Sequence, residues 1–527
     1  MRRVGIFGWG IVAPRSPNVD AFARNLDNCE SWLSPFDGFG PSNFLVGNPE
    51  FSFREYKPWI DARFPPSRFH QLESKMGQPT LFAIGAFIQS LEQNPGLEEE
   101  LHALGTRAHI YVGCGLGDYP TSHDTSITLY RAQRRWDRFW AEPQRNRTLR
   151  EFLKLPAEER AAISGAPPPP PDPDCGEDRE KTEEMEEAWN AYWTARSAEL
   201  ADYLAELRAI DSISVEGEVE AGKAAVIRRK HSLSRALQKK WEAPDPPWAR
   251  VSANVLWNIH NTPSSQISML GRIHGMTFAP VAACSTFGYA LKLGMSAIQS
   301  GEADAVVIGA TDPAPHPLTV GSFVQARVVS ADGEVSKPLT GLRGTHVSGG
   351  SAIWILGELE HMRGKGFQPL GMEPLAVGVT ADAHHIITPS AEGPTLAIEQ
   401  ALAGSGIPAE EITSWDLHAT ATPGDYLEVE TLRRVIPEGV VMTARKGSFG
   451  HGMSVGGGWE LTAQHIGHAR GSLHPTPLEE SELNPEIARL HGHHVYTEAF
   501  PVPPGPAGKL SMGVGGINAC VISRPWE

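Results

Sequence analysis

An α/β protein of two similar halves, with a helical insertion in the first, is predicted by three features of the chain. Strand-like and helix-like segments alternate up to about residue 128 and again from about 248 onward. A second series of such segments, starting near Gly371, can be laid over the first. Between the alternating regions, 129–247 is charged, helical in pattern and broken by "APPPPPDPD". The halves are read as 1–360, interrupted by the 129–247 insertion, and 361–527.

The elements follow in order. "RVGIFGWGIVA" reads as a first strand and "GQPTLFAIGAFIQSL" as a helix after a Gly and a Pro. "AHIYVGCGLGD" is a strand entering a glycine-rich turn; that turn is not GxGxxG, and it reads as a tight turn, not a dinucleotide site. In the insertion, Met185, Trp189, Trp193, Leu200, Leu204 and Leu207 fall close to one helix face, so a folded helical annex is expected, with Pro167 to Pro171 as an extended spacer. "NTPSSQISMLGRIHG" opens a helix with Thr262 as N-cap and Pro263 at its first position. Strand "FAPVAAC", a helix through Ile298, and strands "DAVVIGATD" and "GSAIWILGELE" complete the first series. The second runs "MEPLAVGVTAD", helix "GPTLAIEQALAGSG", then strands "SWDLHAT", "GVVMTA" and "GKLSMGVGGINACVISRP". Mainly parallel sheets covered by helices are expected, with the site where loops leave the strand ends.

Composition narrows the function. Hydrophobic residues make up 41% and charged residues 20% of 527, enough for a large core. A formal charge of -16 argues against a nucleic-acid binder. No apolar run reaches the 18 residues of a membrane span. The five cysteines, Cys29, Cys114, Cys175, Cys284 and Cys520, form no CxxC pair, so no zinc ribbon or redox dithiol is signalled and free thiols in a reducing cytoplasm are expected. "HGHH", His491 to His494, has no flanking ligand cluster and reads as a surface loop; no metal is expected.

The chemistry concentrates after residue 280. Cys284 stands where an apolar strand meets a helix, a position whose aligned N–H dipoles favour thiolate and should lower its pKa. "DLHATATPGD" places His418 where a strand enters a Thr-rich turn, and "ARKGSFGH" places Lys446 five residues before His451. "HGMSVGGGWE" continues into glycines that permit close backbone approach. Each alone is ordinary; together they form a constellation.

The ordered set "AACSTF", "LHATATPGD", "KGSFGH" and "SMGVGGINA", with "GEADAVVIGATD" and "TADAHHIITPSAEG", resembles the elongating β-ketoacyl-acyl-carrier-protein synthases. The resemblance covers 1 to about 128 and 248–527, and not the insertion. It implies a thiolase-like fold, with duplicated halves in a layered αβαβα architecture, and a cytoplasmic acyltransferase of fatty-acid or polyketide biosynthesis. The implied reaction is decarboxylative Claisen condensation of an acyl thioester with malonyl-acyl-carrier protein. The implied partners are acyl-carrier protein, malonyl and acyl thioesters and a second copy in a homodimer. No cofactor is expected beyond the phosphopantetheine of acyl-carrier protein or CoA that carries the substrates.

Carried over residue by residue, Cys284 is the acylated nucleophile. His418 and His451 bind the malonyl carbonyl and stabilise the enolate. Lys446 balances charge, and Thr420 and Thr422 contact the phosphopantetheine arm. The N–H groups of Cys284 and Val514 form the oxyanion hole, and Val514, with Phe287 beside it, gates the acyl pocket. His385 stands behind the site at most. Three positions depart from the family pattern: Gly349 replaces an acidic residue and puts the support behind Lys446 in doubt, Val514 replaces an aromatic gate, and Ala419 replaces Gly. A degradative thiolase would need a second Cys in a CxG turn, and Cys520 is followed by Val521 and Ile522. An initiating synthase would carry Asn where His451 stands. The remaining alternative is a ketosynthase-like, non-catalytic partner subunit.

Overall fold

The computed structural model describes residues 2–162, 167–170, 179–215, 219–386, 390–490, 493–494 and 496–526. Pro171, Cys175 and His491 lie outside the described residues; Pro167 to Pro170 carry no regular secondary structure. The chain forms two compact units, one of Met1–Thr121 with Asn254–Glu527, the other of Ser122–Ala253.

The first unit contains β1 (Val4–Val12), α1 (Gln78–Glu92) and β2 (Ala108–Cys114). The chain then passes through α2 (Tyr119–Trp140), α3 (Arg179–Thr194), α4 (Ala198–Asp211) and α5 (Val219–Trp241). It continues with α6 (Thr262–Gly271), β3 (Thr277–Phe278), α7 (Thr286–Gln299), β4 (Ala305–Asp312) and β5 (Gly350–Glu358). The second series is β6 (Glu373–Ala381), α8 (Glu392–Ser405), β7 (Ser414–Asp416), α9 (Gly424–Val435), β8 (Val441–Thr443) and α10 (Gly456–Arg470). It ends with β9 (His493–His494), β10 (Ala507–Gly513) and β11 (Ile517–Arg524).

The duplication is visible in strand order. One sheet runs β1-β5-β4-β2-β3, and the other, read from its far edge, runs β6-β11-β10-β7-β8-β9. Substituting β6, β11, β10, β7 and β8 for the five strands of the first sheet reproduces its order, with β9 added outside. Every residue of β4 and β5 is buried, as continuous apolar strands covered on both faces must be. Helices α1 and α6 cover the outer face of the first sheet, α7 and α10 lie between the sheets, and α8 and α9 cover the second. The layers are therefore α, β, α, β, α.

Four expectations change. The sheets are mixed: β1–β5 and β5–β4 pair antiparallel, as do β6–β11 and β11–β10, while β4–β2 and β10–β7 are parallel. "GKLSMGVGGINACVISRP" is two strands, since Gly515 and Gly516 take φ of 92° and 68° and let β10 fold back on β11. "FAPVAAC" supplies only Phe278 to a two-residue strand at the sheet edge; Pro280, without an N–H, ends the pairing. His494, read as a surface-loop residue, is buried in β9 beside Met442.

The second unit is helical. The apolar stripe read as one face is carried by two helices, because Ser197 caps α4 and accepts from the Leu200 N–H at 3.2 Å. Trp136, Trp140, Leu200, Tyr203 and Leu237 form one buried cluster, and Ala141, Leu149 and Trp193 a second with Trp189 packed against it.

Candidate active site

Cys284 lies in a single 3₁₀ turn, Ala283–Ser285, that leads directly into α7. Ala283 takes φ 47°, a strained left-handed conformation for a residue with a Cβ. The Ser285 hydroxyl donates to the carbonyls of Ser511 and Ile517 at 3.0 and 2.7 Å, tying this turn to the β10–β11 hairpin. Gly513 makes that approach possible: a Cβ there would stand 3.2 Å from the Cys284 nitrogen and 3.0 Å from the Ala282 oxygen. The N–H groups of Val514 and Cys284 both reach the Cys284 sulfur.

A cavity of about 630 Å³ opens beside the sulfur. Cys284, His418, Thr420, Thr422, His451 and Val514 all line it, with Phe323, Val328 and Met512 among its apolar walls. Their convergence follows from the topology. His418 and the threonines leave the end of β7, His451 follows the short helix after β8, and Val514 sits in the hairpin turn. The rings of His418 and His451 stand edge to face, centroids 5.3 Å apart. The Thr420 and Thr422 hydroxyls are 2.9 Å apart.

Buried carboxylates hold these loops. Glu428 accepts from the N–H groups of His418 and Ala419 at 2.6 and 2.7 Å. Asp425 does the same for Thr420, Ala421 and Leu339 at 2.7, 3.0 and 2.9 Å. Asp312 accepts from the Leu116 N–H and from both the N–H and hydroxyl of Ser454, at 2.8, 2.9 and 2.6 Å. Burial pushes Asp312 and Asp425 up to about 6 and Glu428 up to about 7. Lys446 is buried outside the cavity lining, donates to the His418 carbonyl and pairs with Glu460.

Electrostatics correct the expectation for the thiol. The Cys284 thiol is pushed up to about 11 by burial; the Val514 N–H, Lys446 and its own N–H oppose this and do not win. The thiolate expected from the helix terminus is therefore absent at rest. Burial, then Lys446, holds both His418 and His451 well below the ordinary histidine value, with His451 and Lys509 adding to the effect on His418 and Lys509 to that on His451. Neutral imidazoles can donate one N–H each. His451 Nδ1 has no hydrogen-bond partner among the described residues.

Two further sequence assignments are corrected. Phe287 does not reach the cavity: it is fully buried, edge to face with Trp354 at 5.2 Å, in the layer between the sheets. Gly349 does not leave Lys446 unsupported, because Glu460 supplies the carboxylate. His384 and His385 are exposed and do not line the cavity. Sequence reasoning missed Glu460, Glu428, Asp425 and Asp312. The signal was present in "VGGGWELT" and "PGDYLEVE", where acids interrupt runs destined for burial and so require partners.

Comparison with known proteins gives the same direction. Residues 224–361 match the N-terminal domain and 373–477 the C-terminal domain of the family described as beta-ketoacyl synthase. The chloroplastic 3-oxoacyl-[acyl-carrier-protein] synthase I of Arabidopsis thaliana is 31% identical over 283 residues, which is 52% of this chain. The chain spans 59% of that relative's length. Among solved structures, the ishigamide ketosynthase/chain length factor superposes with a TM-score of 0.66 at 19% identity, covering 100% of both chains. A type II PKS acyl-carrier protein in complex with its ketosynthase bound to the hexaketide gives 0.64 at 15% identity, again covering 100% of both chains. At these identities the structures speak for the fold.

Proposed function

The chain belongs to the β-ketoacyl synthase family, and from that premise we propose that it condenses an acyl thioester with a malonyl thioester, losing carbon dioxide. The observation that carries this is the meeting of Cys284, His418 and His451 on one apolar cavity, with two backbone N–H groups aimed at the sulfur. Cys284 attacks the acyl thioester carbonyl, and the pantetheine thiol leaves with a proton that originates on the Cys284 thiol. Because that thiol is protonated at rest, an imidazole of the pair must relay the proton. The Cys284 and Val514 N–H groups hold the tetrahedral oxygen.

The malonyl thioester then enters past Thr420 and Thr422. Its carboxylate leaves as carbon dioxide, and the bond electrons move to an enolate oxygen facing the N–H donors of His418 and His451. The enolate carbon attacks the acyl-Cys284 carbonyl and expels the cysteine sulfur, leaving a 3-oxoacyl thioester. Acyl-carrier protein is the proposed carrier, the partner found on one of the fold neighbours, and a reducing cytoplasm the proposed compartment. No helix of the described residues is long and apolar enough to cross a membrane.

A homodimer is also proposed. The edge strand β3 is open on one side, and Met276, Phe278 and Val281 are 46%, 36% and 52% exposed along it. The rival reading, a non-catalytic subunit like the chain length factor named in one fold neighbour, rested on the missing acid at 349; the Glu460–Lys446 pair removes that support. Intact-protein mass after incubation with acyl-carrier thioesters tests the proposal. The wild-type chain should gain one acyl group and Cys284→Ala none; an acyl adduct persisting in that variant would refute the assignment.

A further inference from the structure

Behind the histidine pair lies a charge that the reaction outlined above leaves unused. Lys509, on β10, is only 1% exposed at its side chain and lies outside the cavity lining. Strands β10 and β7 pair in parallel with Lys509 opposite Asp416, two residues before His418. The Lys509 ammonium stands 2.8 Å from Glu460 Oε2, 4.0 Å from Asp416 Oδ1 and 3.5 Å from the Leu417 carbonyl, and it also meets the Leu510 carbonyl. Glu460 is thus held between two lysines, Oε1 on Lys446 and Oε2 on Lys509. A fully buried ammonium is costly unless it is paired this closely.

We propose that Lys509 is a positioning residue for the histidine pair, its buried ammonium fixing Glu460 in the orientation that holds Lys446 against the His418 carbonyl. The inference rests on the condensing reading above. The groups around Lys509 are Glu460 on α10, Asp416 on β7, Glu428 on α9, Cys520 on β11, Lys446 and Arg445 after β8, and the two histidines. Arg445 is occupied by Asp416 at 2.6 Å. Three cations, Arg445, Lys446 and Lys509, share the acids Asp416, Glu460 and Glu428. Lys446 and Lys509 are the two that bear on the rings, and each opposes protonation of either imidazole. Burial alone would discharge Lys509, and the facing carboxylates outweigh it and keep it protonated. Removing the ammonium frees Glu460 to turn from Lys446 and removes the repulsion of an imidazolium. Both rings should then protonate at higher pH, and a protonated ring pair cannot relay the Cys284 proton.

The test uses the full chain with Lys509→Gln, which keeps an N–H donor toward Glu460 without charge, Lys509→Met, and Lys509→Arg. Carbon-13 histidine NMR without substrate reads ring ionisation, and acyl loading of Cys284 from an acyl-carrier thioester is followed by intact mass against pH. In the neutral variants the His418 and His451 titrations should move up by on the order of one pH unit, and the acid limb of loading should move with them. Lys509→Arg should restore both. A residue that only supports the fold would lower the rate at every pH and leave the limb in place. Unmoved rings and an unmoved limb in a folded Lys509→Gln protein overturn the proposal. If neither neutral variant folds, wild-type rings that titrate near the ordinary histidine value overturn it; rings neutral at pH 5 in both wild type and Lys509→Arg support it. Rings that shift in a protein whose wild type never releases carbon dioxide would mean that the condensing reading fails while the Lys509 assignment stands.

Discussion

A Cβ added at Gly349 would stand 1.9 Å from the Pro313 carbonyl oxygen and 2.6 Å from its carbon. Both contacts are backbone, so nothing there can swing aside, and no carboxylate can be built at this position. The charge that Lys446 requires comes instead from Glu460, on the helix between the sheets. Gly349→Ala should therefore cost about 1–3 kcal/mol, as overpacking of a filled core does; urea unfolding would read it, and an unchanged midpoint would show that the loop relaxes. Cys284, His418, Lys446 and His451 were legible in the sequence because each interrupts a strand-to-turn junction. Glu460 was not, because its partner Lys446 is tied to it by packing and not by a motif. The thiol's resting state was misjudged for a related reason: the sequence displays the helix terminus, whereas the burial that outweighs it exists only once the layers close.

The β10–β11 hairpin shows what an element adds. It brings Val514 to the cavity, ties the Cys284 turn through Ser285, and carries Lys509 at its other end. The strands were visible as one apolar run; the fold-back was not, because "GVGG" suits both a flexible interruption and a hairpin turn. Antiparallel pairing was hidden likewise, since alternation of strand and helix speaks for parallel neighbours and says nothing about a hairpin at the chain end. Val514 is 50% exposed at this turn and stiff at its first torsion, so it cannot swing as a longer side chain would. Val514→Phe should slow loading of bulky acyl groups more than short ones, by roughly tenfold if about 1.4 kcal/mol of access is lost. Equal effects at all chain lengths, measured by acyl-adduct mass against time, would remove position 514 from selectivity.

At the scale of the molecule, buried histidines held neutral set the expected response to acid. His465 is held down at about 3 and His468 and His474 at about 4, each chiefly by burial, and His418 and His451 lie well below the ordinary value. A ring that stays neutral when folded contributes fully above pH 6.5, its unfolded value, and loses that contribution as pH falls toward its folded one. The raised carboxylates Glu92, Asp137, Asp312, Asp416, Asp425 and Glu428 act oppositely, gaining as pH falls, but His109 and His346 are also held down by burial, so seven rings stand against six acids. The melting temperature should consequently be lower at pH 5 than at pH 7.5. Equal or higher values at pH 5 would show that these rings titrate freely. Most directly, the division of labour in the cavity is tested by single-turnover carbon dioxide release from malonyl-carrier by protein already acylated on Cys284. His418→Ala and His451→Ala should each retain the acyl adduct yet release carbon dioxide roughly 100-fold more slowly. Release at the wild-type rate from both variants would contradict the reading of this cavity as a condensing site.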